Sequence, residues 1–137
     1  MKTLYRHLAT LFTTALFSIL LTAAAQELPL SGTFVGGDDA HPAAGSFQIS
    51  EGEEGRVLSF SEDFSTRRGP DLFVWLVQGD DTENRYVVQR LQSARGAQTY
   101  AIPEEVDLSE YDRVLVWCRT FRVLFATGEF GGDGAAE

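Results

Sequence analysis

The sequence predicts an all-β fold, an antiparallel β-sandwich of about seven or eight short strands preceded by a signal-peptide helix. After the first 25 residues, apolar segments are separated at regular spacing by turns rich in Gly, Asp and Pro. Several segments alternate apolar and polar residues, which is typical of half-buried strands. No amphipathic helical pattern interrupts them, so we expect two packed sheets around one core.

The first 25 residues are predicted to be a signal peptide. A basic start precedes the apolar run 8–21, and the alanines at 23–25 suit cleavage before Gln26. The alternative is an uncleaved anchor, because residues 8–25 are nearly long enough to span a bilayer. Both interpretations place residues 26–137 outside the cytoplasm, as a periplasmic or secreted protein. A cleaved signal would leave no stable membrane insertion.

The rest of the chain is predicted to be one domain with short ends. We expect a lead-in at 26–30, the β-sandwich domain at 31–130 and a flexible tail at 131–137. The fourth strand is apolar on both faces, so it is expected to lie centrally in a sheet that is covered on both sides. A helical turn is expected within 106–111. The first six strands are predicted at 31–35, 45–50, 56–61, 71–78, 86–91 and 98–102.

The last two strands are expected within residues 111–125, where the apolar pattern changes phase. The even-numbered positions carry the apolar face as far as Cys118, and after Arg119 the odd-numbered positions from Phe121 to Phe125 carry it. A shift of one residue inverts every side chain, so this run is either one bulged strand or two strands that meet near Arg119. In both cases Cys118 lies beside the break, where its thiol could be reached.

The composition is acidic. The chain has 20 Asp and Glu residues against 11 Lys and Arg, and a formal net charge of −9. Cleavage would remove Lys2 and Arg6 and leave nine of the 11 basic residues, all arginines. This balance disfavours nucleic-acid binding and adsorption to anionic membranes. It favours solubility and suits a cationic partner, although a solvated acidic surface is the simpler interpretation.

Cys118 is the only cysteine, so an intramolecular disulfide is excluded. Its thiol is a small buried side chain, one half of an intermolecular bridge, or a reactive or ligating group. His41 is the only histidine within 26–137. It is either an ordinary loop residue or a metal or haem ligand, with Asp38 and Asp39 close enough in sequence to orient its ring.

The numbers of histidines and cysteines limit the cofactors that one chain can hold. A single His and a single Cys exclude a blue-copper site and a structural zinc site of Cys and His ligands. The absence of C-x-x-C-H excludes covalent c-type haem. If a non-covalent haem is bound, Cys118 and His41 are its expected protein ligands.

No catalytic constellation indicates an enzyme. There is no G-x-S-x-G elbow, and a cysteine hydrolase would need His41 to reach Cys118. Carboxylate pairs such as Glu53-Glu54 lie in predicted turns. Gly69-Pro70-Asp71 has a structural explanation as a turn that fixes the start of the fourth strand. An electron-transfer or binding module is therefore the expected class.

Several motifs occur in a recognisable order over residues 31–130. They are Gly32-Thr33-Phe34, His41 followed by Gly45, Gly69-Pro70-Asp71-Leu72, Gln98-x-Tyr100-x-Ile102-Pro103, Asp107-Leu108-x-x-Tyr111 and Val116-Trp117-Cys118-x-x-Phe121. Together they resemble the DM-thirteen domain, a small module that is grouped with DOMON-type domains and labelled as electron transfer.

The resemblance implies a β-sandwich in an extracytoplasmic setting and a redox role for Cys118. That role would belong to a naked thiol or to a prosthetic group such as haem, with His41 and Trp117 as further candidate residues. The partner would be an unidentified redox protein or a cell-surface protein. The alternative is a non-catalytic binding or adhesion module with a structural cysteine, and a third possibility is a covalent dimer through Cys118.

Overall fold

The computed structural model describes residues 27–131, so the predicted signal peptide and residues 132–137 of the predicted tail lie outside the described residues. Within them the chain forms strands and one short 3₁₀ helix, which confirms the all-β prediction. The strands are β1 (Leu30–Thr33), β2 (Val35–Gly36), β3 (Ala43–Ala44), β4 (Ser46–Gly52), β5 (Gly55–Phe60), β6 (Ser65–Thr66), β7 (Leu72–Gln78), β8 (Asp81–Arg90), β9 (Gln98–Ile102), β10 (Arg113–Cys118) and β11 (Val123–Glu129).

Two antiparallel sheets enclose the core as a sandwich. One sheet has the order β1-β4-β5-β9 and the other β2-β11-β10-β7-β8, while β3 and β6 form a separate two-stranded ribbon. Inward side chains of both sheets meet in one apolar cluster, as expected for sheets packed face to face. Fully buried members of this cluster include Ile49, Leu58, Ile102, Val74, Leu76, Val114 and Val116.

The predicted strands are largely confirmed. The strand at 98–102 has the predicted bounds, and the predicted helical turn is the 3₁₀ helix Leu108–Glu110. The first predicted strand is divided, because the chain crosses at Phe34 from one sheet to the other. The Phe34 amide donates a hydrogen bond to the Gly45 carbonyl at 2.8 Å, which fixes the crossing.

Strand β7 lies inside the five-stranded sheet, between β10 and β8. Its inward residues Val74 and Leu76 join the main core, and its outward residues Trp75 and Val77 are buried in a second cluster on the outer face. The expectation of an interior strand that is apolar on both faces is therefore correct.

The last hairpin decides between the two alternatives for residues 111–125. It consists of two strands, β10 and β11, joined by a turn in which Arg122 has a φ of 54°. The phase change comes from this turn and from a bulge in β11, where Phe125 has no partner on β10. Phe121 was expected on the apolar face, but this prediction is wrong. It lies in the turn and is 65% exposed.

Strand β8 forms one edge of the five-stranded sheet. It begins at Asp81, before the predicted start at residue 86, because residues 81–84 belong to the strand and not to a turn. The exposed side chains of Glu83 and Arg85 lie along this edge. Within residues 27–131, no helix has the length and apolarity needed to cross a membrane.

Candidate functional site

Cys118 is the last residue of β10 and lies opposite Leu72 of β7 and Val123 of β11. Its exposure is 0%, and it belongs to the main apolar core. Of the alternatives that the sequence left open, the structure thus shows a buried thiol and not one that is reached at a break in the sheet. The alternation of β10 continues unbroken as far as Cys118, so this side chain points inward, and the irregularity lies in β11.

Full burial also bears on two of the alternatives. An intermolecular disulfide needs a thiol that a second chain can reach, so any bond from Cys118 to another chain would require the packing around it to open first. A small apolar side chain in a β core does fit it. Cys118 thus packs in the core whether or not its thiol also reacts.

Asp71 organises the end of the sandwich at which Cys118 lies. Its side chain is 11% exposed and accepts hydrogen bonds from Arg119 Nε at 3.0 Å, Arg90 Nη2 at 2.9 Å and Thr120 Oγ1 at 2.9 Å. The Asp71 carbonyl also accepts one from the Arg119 amide at 3.0 Å. These contacts tie the start of β7 to the end of β8 and to the β10–β11 turn. We call this set the Asp71 clamp.

The charge state of Asp71 follows from these contacts. Desolvation raises the pKa of Asp71, but the hydrogen bonds from Thr120, Arg119 and Arg90, together with the charge of Arg119, outweigh it. The net result is a pKa below the ordinary value for an aspartate, so the folded state favours the carboxylate. The turn role that the sequence predicts for Gly69-Pro70-Asp71 is only part of what this segment does.

His41 lies in the loop between β2 and β3, where it forms an isolated bridge with Asp38. Its Nδ1 is 2.7 Å from Asp38 Oδ1, and its side chain is 20% exposed. This hydrogen bond is the main reason why the pKa of Asp38 is lowered. The imidazole ring packs on Phe125 with a centroid distance of 4.4 Å. Asp38 therefore orients the ring, as the sequence suggested, and leaves Nε2 as the nitrogen that Asp38 does not engage.

Apolar side chains lie between His41 and Cys118. Phe125 contacts the imidazole, and a Cβ atom added at Gly69 would lie 3.0 Å from the Phe125 ring and 2.9 Å from Leu72. Leu72 in turn lies opposite Cys118. Among the hydrogen bonds of residues 27–131, none joins Cys118 to His41. The Cys–His pair that a cysteine hydrolase requires is not formed.

Trp117 points away from Cys118, because neighbouring residues of a strand face opposite sides of the sheet. Its ring stacks on Trp75 on the outer face, with centroids 5.3 Å apart and an interplanar angle of 22°. The guanidinium of Arg85 lies 4.5 Å from the Trp75 ring centroid. The third candidate residue therefore belongs to a different surface from the thiol.

A cleft of about 370 Å³ opens beside the Asp71 clamp. Gly69, Pro70 and Leu72 form part of its wall, and Leu72 is also the residue that lies opposite Cys118. Three arginines line it as well: Arg68, Arg90 and Arg95. Sequence reasoning missed this cleft, although the Arg67-Arg68 pair in an acidic chain was a visible signal.

The described residues do not favour a metal or haem site. No group of three or more His, Cys, Asp and Glu side chains within 27–131 is arranged to hold a metal ion. An axial haem ligand must project into a cavity that admits the porphyrin, whereas the Cys118 thiol is enclosed by the core and lines none of the clefts described here. Haem ligation by Cys118 does not fit this geometry.

The fold and site define a small β-sandwich module with a buried thiol beside an arginine-lined cleft. A family model described as Electron transfer DM13 matches residues 33–130, and the chain belongs to this family. The family resemblance read from the motifs is thereby confirmed. A search of the curated proteins and a search of the solved structures gave no match.

Proposed function

We propose that the protein is an exported electron-transfer domain whose redox group is the thiol of Cys118. The family description supports the general class. The observation that carries the assignment is that Cys118 lies opposite Leu72, which also forms the wall of the arginine-lined cleft. Leu72 thus neighbours the buried thiol and also lines a cleft that is open to the surface. Export through residues 1–25 is part of the proposal and would bring the thiol into an oxidising compartment.

The chemistry is that of a naked thiol. When Leu72 moves aside, the Cys118 thiolate attacks one sulfur of a partner's disulfide. A new S–S bond joins Cys118 to that sulfur, and the partner's other sulfur leaves as a thiolate. A thiolate of a second protein then attacks the Cys118 sulfur of the mixed disulfide, and the first partner leaves with both of its sulfurs as thiolates. A second thiolate of that protein attacks its own sulfur in the new mixed disulfide, which closes its disulfide and releases the Cys118 thiolate. The first partner has gained two electrons and the second protein has lost two, so both need a pair of cysteines.

His41 and Trp117 take no part in this step. His41 packs on Phe125 and is oriented by Asp38, and Trp117 lies on the outer face of the sheet. Their contributions are to the packing around the site. No step is assigned to haem, because the enclosed thiol does not fit as its ligand.

A second function is a binding module in which Cys118 only packs. Its 0% exposure within an apolar cluster supports this alternative, since buried structural cysteines are chemically inert. The two proposals differ in one property, which is whether the folded protein gives access to its thiol.

The test measures how quickly glutathione disulfide forms a mixed disulfide with the folded protein, by mass spectrometry. Leu72→Ala should accelerate the reaction, because it removes the side chain opposite Cys118. Leu76→Ala is the matched control, since Leu76 is a buried leucine of the same strand that lies opposite Val114. Cys118→Ala confirms that the added mass is on this residue.

Electron transfer through the thiol requires that the wild-type protein react faster than it globally unfolds and that Leu72→Ala exceed Leu76→Ala. If the wild-type rate equals the unfolding rate, and the two leucine variants differ only as their stabilities do, the thiol proposal is wrong. The binding-module interpretation then stands.

A further inference from the structure

Arginines are concentrated at one end of this acidic protein. Arg67, Arg68 and Arg95 belong to the loops that flank β6 and β9, and Arg90 ends β8. Within residues 27–131, three arginines form ion pairs with a carboxylate: Arg90, Arg113 and Arg119. The guanidiniums of Arg67, Arg68 and Arg95 thus have no carboxylate of residues 27–131 within 4.0 Å. Their positive charge is available to a ligand.

These arginines line two adjoining clefts. The first is the cleft beside the Asp71 clamp, and the second has a volume of about 290 Å³ with Thr66, Arg67 and Arg95 in its wall. Arg95 lines both, so we call the pair the Arg95 double cleft. No acidic side chain is among the residues lining either one. The positive potential of the double cleft is therefore not neutralised from within its walls.

The backbone around Arg95 is held in place. The Thr66 amide donates to the Ala94 carbonyl at 2.9 Å, and the Gly96 amide donates to the Phe64 carbonyl at 2.9 Å. Arg67 is oriented on the other side by a 3.0 Å hydrogen bond from Nη1 to the Ala40 carbonyl. A fixed backbone lowers the ordering cost of binding, because the loops that carry the guanidiniums are already positioned.

We propose that the Arg95 double cleft binds an oxyanion, the carboxylate or phosphate group of a ligand with more than one negative charge. The guanidiniums of Arg95 and Arg68 would donate charge-assisted hydrogen bonds to it. Arg90 contributes less, because Asp71 already occupies one of its nitrogens. This site goes beyond the thiol chemistry proposed above and does not depend on it.

The test is a titration of the ¹⁵N-labelled protein, followed by amide chemical shifts, with inorganic pyrophosphate in one series and citrate in another. We expect saturable shifts at residues 66–69 and 93–96. Arg95→Gln and Arg68→Gln should each weaken binding by about tenfold, the loss expected for one charged hydrogen bond. Thr66→Val should leave the affinity unchanged, because Thr66 Oγ1 is buried away from the cleft.

Arg85→Gln is the matched control. It changes the net charge by the same amount, but Arg85 lies over Trp75 on the outer face and lines neither part of the double cleft. Its affinity should equal that of the wild type. Cys118→Ala should also bind normally, which separates this site from the thiol proposal. The ratio of the dissociation constants for pyrophosphate and citrate distinguishes a phosphate ligand from a carboxylate ligand.

Two results would overturn the proposal. One is shifts that grow linearly with both anions and never saturate. The other is equal affinities for Arg95→Gln, Arg68→Gln and Arg85→Gln, since the anion would then sense only the net charge of the protein. Arg68 is an exposed loop residue, so its variant provides the comparison even if Arg95→Gln folds poorly.

Discussion

Asp71 and Arg119 are joined through both side chain and backbone. Arg119 Nε donates to Asp71 Oδ2 at 3.0 Å and Nη2 to Oδ1 at 3.5 Å, and the Arg119 amide donates to the Asp71 carbonyl at 3.0 Å. Since Arg119 directly follows Cys118 and Asp71 directly precedes Leu72, this double link fixes the register of Cys118 and Leu72, which lie side by side on neighbouring strands.

Asp71→Asn is expected to lower the melting temperature, because the amide cannot replace a carboxylate that accepts from two arginines and a hydroxyl. The folded pKa of Asp71 is below its unfolded value, so this stabilisation is present above the unfolded pKa, about 4, and is lost as the pH falls through the folded pKa. The difference in melting temperature between wild type and variant should therefore be largest near neutral pH and shrink on acidification.

The measurement is thermal unfolding, followed by circular dichroism, over a series of pH values. Glu53→Gln is the control, since Glu53 is exposed in the turn between β4 and β5. It should match the wild type throughout. A constant difference between wild type and Asp71→Asn at every pH would contradict an ionised Asp71 as the stabilising group.

Replacing Cys118 tests how apolar its surroundings are. Cys118→Ser buries a hydroxyl among apolar side chains and should cost about 1–3 kcal/mol in the free energy of unfolding. Cys118→Ala should cost less, because it introduces no polar group. Urea unfolding of the three proteins measures both values. Equal stability of the serine and alanine variants would indicate that a polar partner or water reaches position 118.

Tyr100 is predicted to make the protein sensitive to alkali. Its hydroxyl donates to Gln98 Oε1 at 2.5 Å and accepts from the Gln92 amide at 3.0 Å. Burial raises the pKa of Tyr100 above 10.0, so its contribution to stability is fully present below the unfolded pKa and is lost as the pH rises through the folded pKa.

Tyr100→Phe should therefore lose about 1–3 kcal/mol at neutral pH, because the Gln92 amide and the Gln98 side chain each lose a partner. The same variant should lose less stability than the wild type between neutral and alkaline pH. Urea unfolding at both pH values tests the two statements together. A wild type and a variant with parallel pH profiles would mean that Tyr100 does not titrate in the unfolding transition.

The tryptophan stack gives a prediction for fluorescence. Trp75 is 4% exposed, whereas its partner Trp117 is only partly buried. Trp117→Phe leaves Trp75 as the emitting residue and should reduce quenching by acrylamide, and Trp75→Phe should increase it. Each variant keeps an aromatic ring in the stack, so the fold is preserved. The reverse order of quenching would contradict the assignment of Trp75 to the buried position.

Much of the fold follows from local patterns in the sequence. The strand at 98–102 is bounded by a turn and by Pro103, and alternation fixes its inward residues, so prediction and structure agree. The ribbon of β3 and β6 was missed because it consists of two-residue strands paired only through the backbone. Phe121 was misplaced because an apolar residue in a tight turn cannot be distinguished by pattern from one in a strand.

The site was less predictable, because its contacts join distant parts of the chain. Asp71 is 19 residues from Arg90 and 48 from Arg119, and no local pattern predicts such pairs. The burial of Cys118 was less predictable, because the phase change in residues 111–125 fitted either one bulged strand or two strands that meet near Arg119. The family and its motifs, by contrast, were recognisable because the motifs occur in a fixed order along the chain.

The edge strand β8 has a consequence for how copies of this protein behave when crowded together. An unpaired strand edge offers a row of backbone donors and acceptors to the edge of another molecule. Here that row is flanked by the charges of Asp81, Glu83 and Arg85, and a second copy stacked in parallel and in register would bring like charges against them. Such an edge therefore disfavours the parallel, in-register stacking of one copy on the next.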